Sequence, residues 1–247
     1  MNTLEFLIVF MAFAVGGVLK GATGAGAPIL VVPLLTMYNG VVFAVIAFVI
    51  PNLISNLVQI YKFFKHVQSW KFVALFTGAG AVGAAAGTLM LTSLHSDALM
   101  SMMATAVFMY IGFRLFNPNW KLELQHATRF ALPAGTVAGI LQGAAGVSAP
   151  VSITFLNAMK LEREHFIATI SIFFFSMGVV QFILLTAMGQ YDRHMFIYSL
   201  LAVIPLMAGM PIGSKLIQYV PRDMFDKIIL ALLFVLASKL IFDVLSG

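Results

Sequence analysis

The chain has 247 residues, 61% of them hydrophobic and only 9% charged, and its mean hydropathy is +1.01. A water-soluble domain carries about a quarter charged residues, so there is too little polar surface here to coat a globule in water, and the surrounding solvent is a bilayer. The net charge of +5 then reads as Lys and Arg gathered in cytoplasmic loops rather than as a nucleic-acid footprint, and the lack of cysteine excludes disulfides and thiolate metal sites.

The charge gaps make this local. No Asp, Glu, Lys, Arg or His occurs in 21–61, 130–159 or 166–191, and each gap exceeds the roughly 20 apolar residues that cross a hydrocarbon core. These runs do not alternate polar and apolar residues as barrel strands do, so the spans are helices. The first stretch, "MNTLEF", has no basic n-region and contains Glu5, which argues against a signal peptide.

In chain order, the first half reads as apolar segments over 4–20, 27–37, 41–64, 72–93 and 98–116. A polar link, "NPNWKLELQHATR" (117–129), follows and carries Trp120 and basic residues suited to the membrane interface. The second half reads as 130–144, 149–158, 163–188, 194–214 and 224–245. In each half the second segment is short: about eleven residues rise only ~17 Å as a helix, against a core of ~30 Å. With the segment before it, each forms a hairpin expected to stop short of the far face.

The halves match. Shifted by 122 residues, Gly17, Leu19, Gly21, Ala22, Gly24, Ala27, Pro28 and Leu34 fall on Gly139, Leu141, Gly143, Ala144, Gly146, Ala149, Pro150 and Leu156, and Gln59 falls on Gln181. At a shift of 126, Gly83, Gly87, Asp97, Phe108 and Phe116 fall on Gly209, Gly213, Asp223, Phe234 and Phe242. The expected organisation is a first membrane repeat over 1–117, a cytoplasmic linker over 118–128 and a second repeat over 129–247. A hairpin returns the chain to the face it left, so each half makes an odd number of passes and the two repeats are inverted. With loop 62–71 inside, Lys62, Lys65, Lys71, Arg114, Lys121, Arg129, Lys160, Arg163, Lys215, Arg222 and Lys227 all fall on the cytoplasmic side, and Arg193 is the one loop base outside. The fold class is therefore an all-α polytopic membrane protein of two inverted repeats, each of about five hydrophobic segments with a Gly/Pro-broken short hairpin.

The breaks are "GATGAGAP" (21–28) and "GAAGVSAP" (143–150). Glycine tolerates dihedrals that interrupt a helix, and Pro28 and Pro150 suit the first turn of a new one. Amides near Gly26–Ile29 and Ser148–Val151 are then unpaired inside the membrane, at helix N-termini whose partial positive charge binds anions. Short, Gly/Pro-interrupted segments at matching places in two halves point to a transporter site. The other reading of each motif is a tight turn or glycine-mediated helix packing.

The first motif, running into "ILVVPLL", resembles the TauE/SafE family of sulfite and organosulfonate exporters, also described as 4-toluene sulfonate uptake permeases. Gly21, Gly24, Gly26 and Pro33 fit that family's glycine motif, with Ala27 and Pro28 in place of glycines. Gly143, Gly146 and Pro150 fit its second motif, with Ser148 and Ala149 in place of glycines. The segments "ATISIFF" and "GMPIGSKLIQYVPRDMFDKIILALLF" resemble its later spans. The resemblance covers nearly the whole chain. It implies a multi-pass protein of the bacterial cytoplasmic (inner) membrane that transports small sulfur-containing or other organic anions.

Polar residues within the spans complete the candidate site. Asn52, Asn56 and Gln59, with Ser55, share one face of the third segment through spacings of three and four. Gln181 is the repeat mate of Gln59, and Thr169, Ser171 and Ser176 accompany it on the eighth segment. Lys20, whose mate is Gln142, either draws in an anion or snorkels to the cytoplasmic face. Lys239 snorkels or pairs with Asp243. Arg114 reads as an interfacial anchor and "KLEREH" (160–165) as a solvated loop without metal-ligand spacing. The substrate-binding set is thus Lys20, Gly21, Gly24, Gly26, Ala27, Pro28, Asn52, Asn56, Gln59, Gln142, Gly143, Gly146, Ser148, Ala149, Pro150 and Gln181, with no catalytic residue, metal or cofactor expected.

Rival classes fit less of the sequence. "GVSA" (146–149) faintly resembles the G-x-S motif of intramembrane serine proteases, but His66, His95, His126, His165 and His194 all fall at segment ends or in loops, and the chemistry needs an imidazole beside the serine. An anion channel shares the polarised hairpins but makes no use of a repeat that gives two exchangeable states. The expected function is secondary transport of a small anion by alternating access, coupled to a proton or sodium gradient.

Overall fold

The computed structural model describes residues 3–117, 120–217 and 222–246. Pro118 and Asn119, which open the expected linker, lie outside them, as do the side chains of Arg222, Asp223 and Lys227. Among the described residues the regular elements are all helical: α1 (Thr3–Thr23), α2 (Ala27–Phe63) with a 3-10 turn at Phe64–His66, α3 (Trp70–Ser93), α4 (Ser96–Phe116), α5 (Leu124–Ala145), α6 (Ala149–Ala158), α7 (Arg163–Ala187), α8 (Arg193–Leu216) and α9 (Arg222–Ser246). Of these, α2, α3, α4, α7 and α8 are long and apolar enough to cross a membrane. The chain is an all-helical, multi-pass membrane protein.

The segments expected over 27–37 and 41–64 are two helical stretches of α2, separated by a kink at Gly40, which is non-helical at φ 80°, ψ 164°. That region of dihedral space belongs almost exclusively to glycine, and a Cβ there would meet no atom within 4 Å, so backbone geometry alone demands the residue. Helix α5 begins at Leu124, inside the stretch expected as linker. Its first turns are polar but made of good helix formers, and Thr128 Oγ1 donates back to Leu124 O at 2.8 Å, so hydrophobicity alone misses the start.

Other ends follow local chemistry. Ser69 caps α3 by accepting from Phe72 N at 3.3 Å, and Asp192 caps α8 by accepting from Met195 N at 2.6 Å. Pro51 inside α2 has no N–H for the carbonyl of Ala47 four residues earlier. Ser199 Oγ of α8 supplies that hydrogen bond at 2.9 Å, and Tyr191 OH donates to the neighbouring Ile46 O at 2.7 Å. Burial pushes the Tyr191 phenol above its ordinary pKa, with the Ser199 hydrogen bond opposing the shift.

Glycines set the tightest helix contacts. A Cβ at Gly17 or Gly21 of α1 would overlap the carbonyls of Leu206 or Met210 of α8, and a Cβ at Gly209 or Gly213 of α8 would overlap those of Ala14 or Val18 of α1. The α3–α5 pair repeats this arrangement: Gly83 and Gly87 against Thr136 and Ile140, Gly139 and Gly143 against Gly80 and Ala84. The glycines that match at a shift of 122 are on α1 and α5, and those that match at 126 are on α8 and α3. One interface is therefore built twice, each time between the first helix of one half and the fourth segment of the other. Close backbone approach through small residues is the usual way helices associate in lipid, where burial of apolar surface gives little drive.

Candidate functional site

Both helix breaks form where the glycine motifs stand. Helix α1 ends at Thr23, Gly24 turns at φ 87°, and α2 starts at Ala27 with Pro28 in its first turn. Helix α5 ends at Ala145, Gly146 turns at φ 68°, and α6 starts at Ala149 with Pro150 in its first turn. In each break the turning glycine donates its N–H four residues back, Gly24 to Lys20 O at 2.7 Å and Gly146 to Gln142 O at 2.8 Å. Each also seats against the other half: Gly24 against Ile167, Gly146 against Val45 and Val32. Val45 and Ile167 are themselves 122 residues apart, so the two seats are equivalent.

The break residues Gly24, Ala25, Gly26, Ala27, Gly146, Val147, Ser148 and Ala149 are buried. Among the described residues the amides of Gly26, Ala27 and Ile29, and those of Ser148 and Ala149, meet no acceptor, whereas Val151 N–H is satisfied by Ser148 O at 3.0 Å. Five buried N–H groups at two helix starts are a cost to the fold unless something negative meets them. The α6 helix, at 10 residues, rises only about 15 Å.

Behind the first break lies a closed polar cluster. Lys20 is fully buried and its Nζ donates to Asn56 Oδ1 at 2.7 Å, which removes the snorkelling reading. Asn56 Nδ2 donates to Asn52 O and Oδ1, each at 2.7 Å. The ring of Phe174 stands 6.0 Å from Nζ, close enough for a cation–π attraction. Ser171 Oγ donates to Gln59 Oε1 at 3.1 Å, which binds α7 to α2 one turn further on. No carboxylate among the described residues pairs with Lys20. A charge on Lys20, held in the interior by one amide oxygen and a ring face, would carry an unmet desolvation penalty that a bound anion relieves.

The second break is built differently. Gln142, in the place of Lys20, is buried, and its Oε1 has no hydrogen-bond partner. Gln181 Nε2 donates to the Gly143 carbonyl at 3.2 Å. Ser148 precedes α6, and its hydroxyl accepts from Ser152 Oγ at 3.4 Å. Gly21 and Gly143 also pack, against α8 and α3 as described above. The structure thus joins Lys20, Asn52 and Asn56 in one group, Gln59 with Ser171 in a second, and Gln142, Gly143 and Gln181 in a third.

Open space lies beside the first group. A half-open cavity of about 460 Å³ touches Thr23, Ala25 and Gly26 of the break and is lined by Tyr110, Arg114, Asn157, Lys160 and Arg163 as well as by apolar side chains. Arg163 Nη2 donates to Gly21 O at 3.1 Å. The sequence reading missed this vestibule, taking Arg114 as an anchor and 160–165 as solvated. The available signal was that Lys160 and Arg163 directly follow the short helix of a hairpin. A second cavity, about 480 Å³, touches Pro150 and is lined by no charged residue. Elsewhere Lys239 pairs with Asp243 at 2.8 Å, and the described residues hold no cluster of metal-ligating side chains.

Comparison with known proteins gives no match among curated proteins and none among solved structures. The family model described as sulfite exporter TauE/SafE does match, over residues 8–240, and the chain belongs to that family of membrane transporters.

Proposed function

We propose that the protein is a secondary carrier of a small anion, sulfur-containing (sulfite, a sulfonate or thiosulfate) or organic, working by alternating access in a bacterial inner membrane. The observation that carries this is Lys20: its fully buried amine, bonded to Asn56 Oδ1 and with no carboxylate partner among the described residues, stands one turn from a break whose amides also lack acceptors. A bound oxyanion would satisfy both. Asn52, Asn56 and the amides of Gly26 and Ala27 are its hydrogen-bond partners in this reading, and Gln142, Ser148 and Gln181 play the matching part in the second half.

The carrier reading is supported over a channel by occlusion. Lys20, Asn52, Asn56 and Gln59 are all buried, and none of them lines the open cavity beside Gly26. A site closed off from a neighbouring vestibule suits a protein that exposes its cargo to each face in turn. The twice-built glycine interface supports two exchangeable halves, and the distribution of Lys and Arg supports their inversion, with the vestibule cations cytoplasmic and a proton or sodium gradient as the drive.

Reconstitution in vesicles tests this. Sulfite, sulfoacetate, thiosulfate and an uncharged amino acid are offered with proton and sodium gradients imposed in turn. The expected result is saturable anion uptake, accelerated by anion on the opposite side. Uptake of none of the anions, or uptake that never saturates, removes the proposal.

A further inference from the structure

We propose that the vestibule is itself a binding site, separate from the sealed cluster, for an organic anion with an acidic head and an apolar body, with Arg163 and Lys160 holding the head. Its size points away from a bare inorganic oxyanion: about 460 Å³ lies in the range of pockets that enclose whole organic ligands, roughly 300–1,000 Å³. Its walls divide into the two parts such a ligand needs. Leu19, Ile29, Ile153, Leu156 and Phe166 supply apolar surface, and the cations Lys160 and Arg163 stand at the α6–α7 connection, with Arg114 reaching the cavity from α4.

Charge is sorted across that connection. Both acids of 160–165 are engaged by histidines, Glu164 Oε2 with His66 Nδ1 at 3.1 Å and Glu162 Oε2 with His165 Nδ1 at 3.6 Å. Lys160 and Arg163 instead line the cavity, which no Asp or Glu lines among the described residues. Arg163 uses its planar fork on one neutral carbonyl, Gly21 O, and a guanidinium has five donors suited to a two-oxygen head. Lys160 sits at φ 50°, a backbone conformation that costs an ordinary side chain about 1–2 kcal/mol. A charge kept where glycine is the easier residue is one the site uses.

The inference rests on the carrier reading for its purpose, loading of the sealed cluster, but its test is binding. The full chain in lipid nanodiscs is titrated calorimetrically with straight-chain carboxylates from acetate to heptanoate, and with hexyltrimethylammonium as a cationic control. Affinity is expected to rise about fourfold per methylene and the cation to bind no better than it partitions into empty nanodiscs. Arg163→Gln is expected to weaken every carboxylate by about tenfold or more without changing the chain-length slope. Lys160→Gly is expected to melt at a higher temperature and still bind more weakly. A flat chain-length series, equal binding of the cation, or unchanged affinity in both variants overturns the proposal. Chain-length-dependent binding without vesicle flux leaves this site standing and removes the carrier, whereas saturable sulfite flux with a flat series does the reverse.

Discussion

Lys20 Nζ and Asn56 Oδ1 are 2.7 Å apart, in a region where both residues are fully buried. The amide is oriented by its other end, because Asn56 Nδ2 is committed to Asn52. The ammonium therefore has one neutral partner and room in its electrostatics for a negative one. Asn56→Asp supplies that charge from within the protein. The variant is expected to melt higher than the parent and to lose at least about tenfold in anion flux, since the internal carboxylate competes with the cargo. Lys20→Met removes the buried charge and is expected to hold its melting temperature while losing flux similarly. Normal sulfite uptake by Asn56→Asp counts against Lys20 as the cargo's counter-charge.

The turning glycines are distinguishable by what surrounds them. Alanine at either site takes on the strain of positive φ, about 1–2 kcal/mol. At Gly24 the new methyl also lies 2.7 Å from Ile167 Cγ1, whereas at Gly146 the nearest atoms, on Val32 and Val45, are 3.0 Å away. Gly24→Ala is thus expected to be the more destabilising in thermal melts. Adding Ile167→Ala recovers the overlap part and leaves the strain. Leucine at either glycine is expected to abolish flux while the protein still inserts, and full flux with leucine at both would place the site elsewhere.

The glycines of the helix interfaces form an internal control. Gly87 and Gly213 are repeat mates, each facing a carbonyl of the partner helix, Ile140 O and Val18 O. Valine at either forces the helices apart and is expected to lower the melting temperature by a similar amount. Gly112 of α4 has no atom within 4 Å of a built Cβ, so Gly112→Ala is expected to stabilise by up to about 1 kcal/mol through helix propensity alone. Unequal effects at Gly87 and Gly213 would break the equivalence of the two interfaces.

The sequence made the helical spans and both breaks legible because charge gaps and the Gly/Pro motifs are local. The matches at 122 and 126 also identified the glycines that the structure pairs, although the sequence could not show that they pair crosswise, α1 with α8 and α5 with α3. Lys20 left two readings open, and only its burial and the tertiary contact with Asn56, 36 residues away, set the snorkelling one aside. The vestibule was illegible for the same reason. Lys160 and Arg163 are ordinary loop cations until α6 and α7 carry them to the end of α1, and Arg163 reaches Gly21 across 142 residues. The start of α5 escaped because a polar helical turn has no hydrophobic signature.

Pro51 and Ser199 give a prediction about a helix carbonyl that needs no ligand. The proline leaves Ala47 O without its helical donor, and the Ser199 hydroxyl takes that place at 2.9 Å. Ser199→Ala strands a buried carbonyl and is expected to cost about 1–3 kcal/mol. Pro51→Ala restores a backbone N–H at the position that reaches Ala47 O, so in that background Ser199→Ala is expected to cost much less. The double-mutant cycle, read by thermal melts in detergent, should therefore show coupling of about 1 kcal/mol or more. Additive effects would mean that Ser199 acts only by packing. Since Asn52 directly follows the proline, Pro51→Ala is also expected to shift the Asn52–Asn56–Lys20 group and reduce flux without loss of stability, which separates the proline's role in the site from its role in the fold.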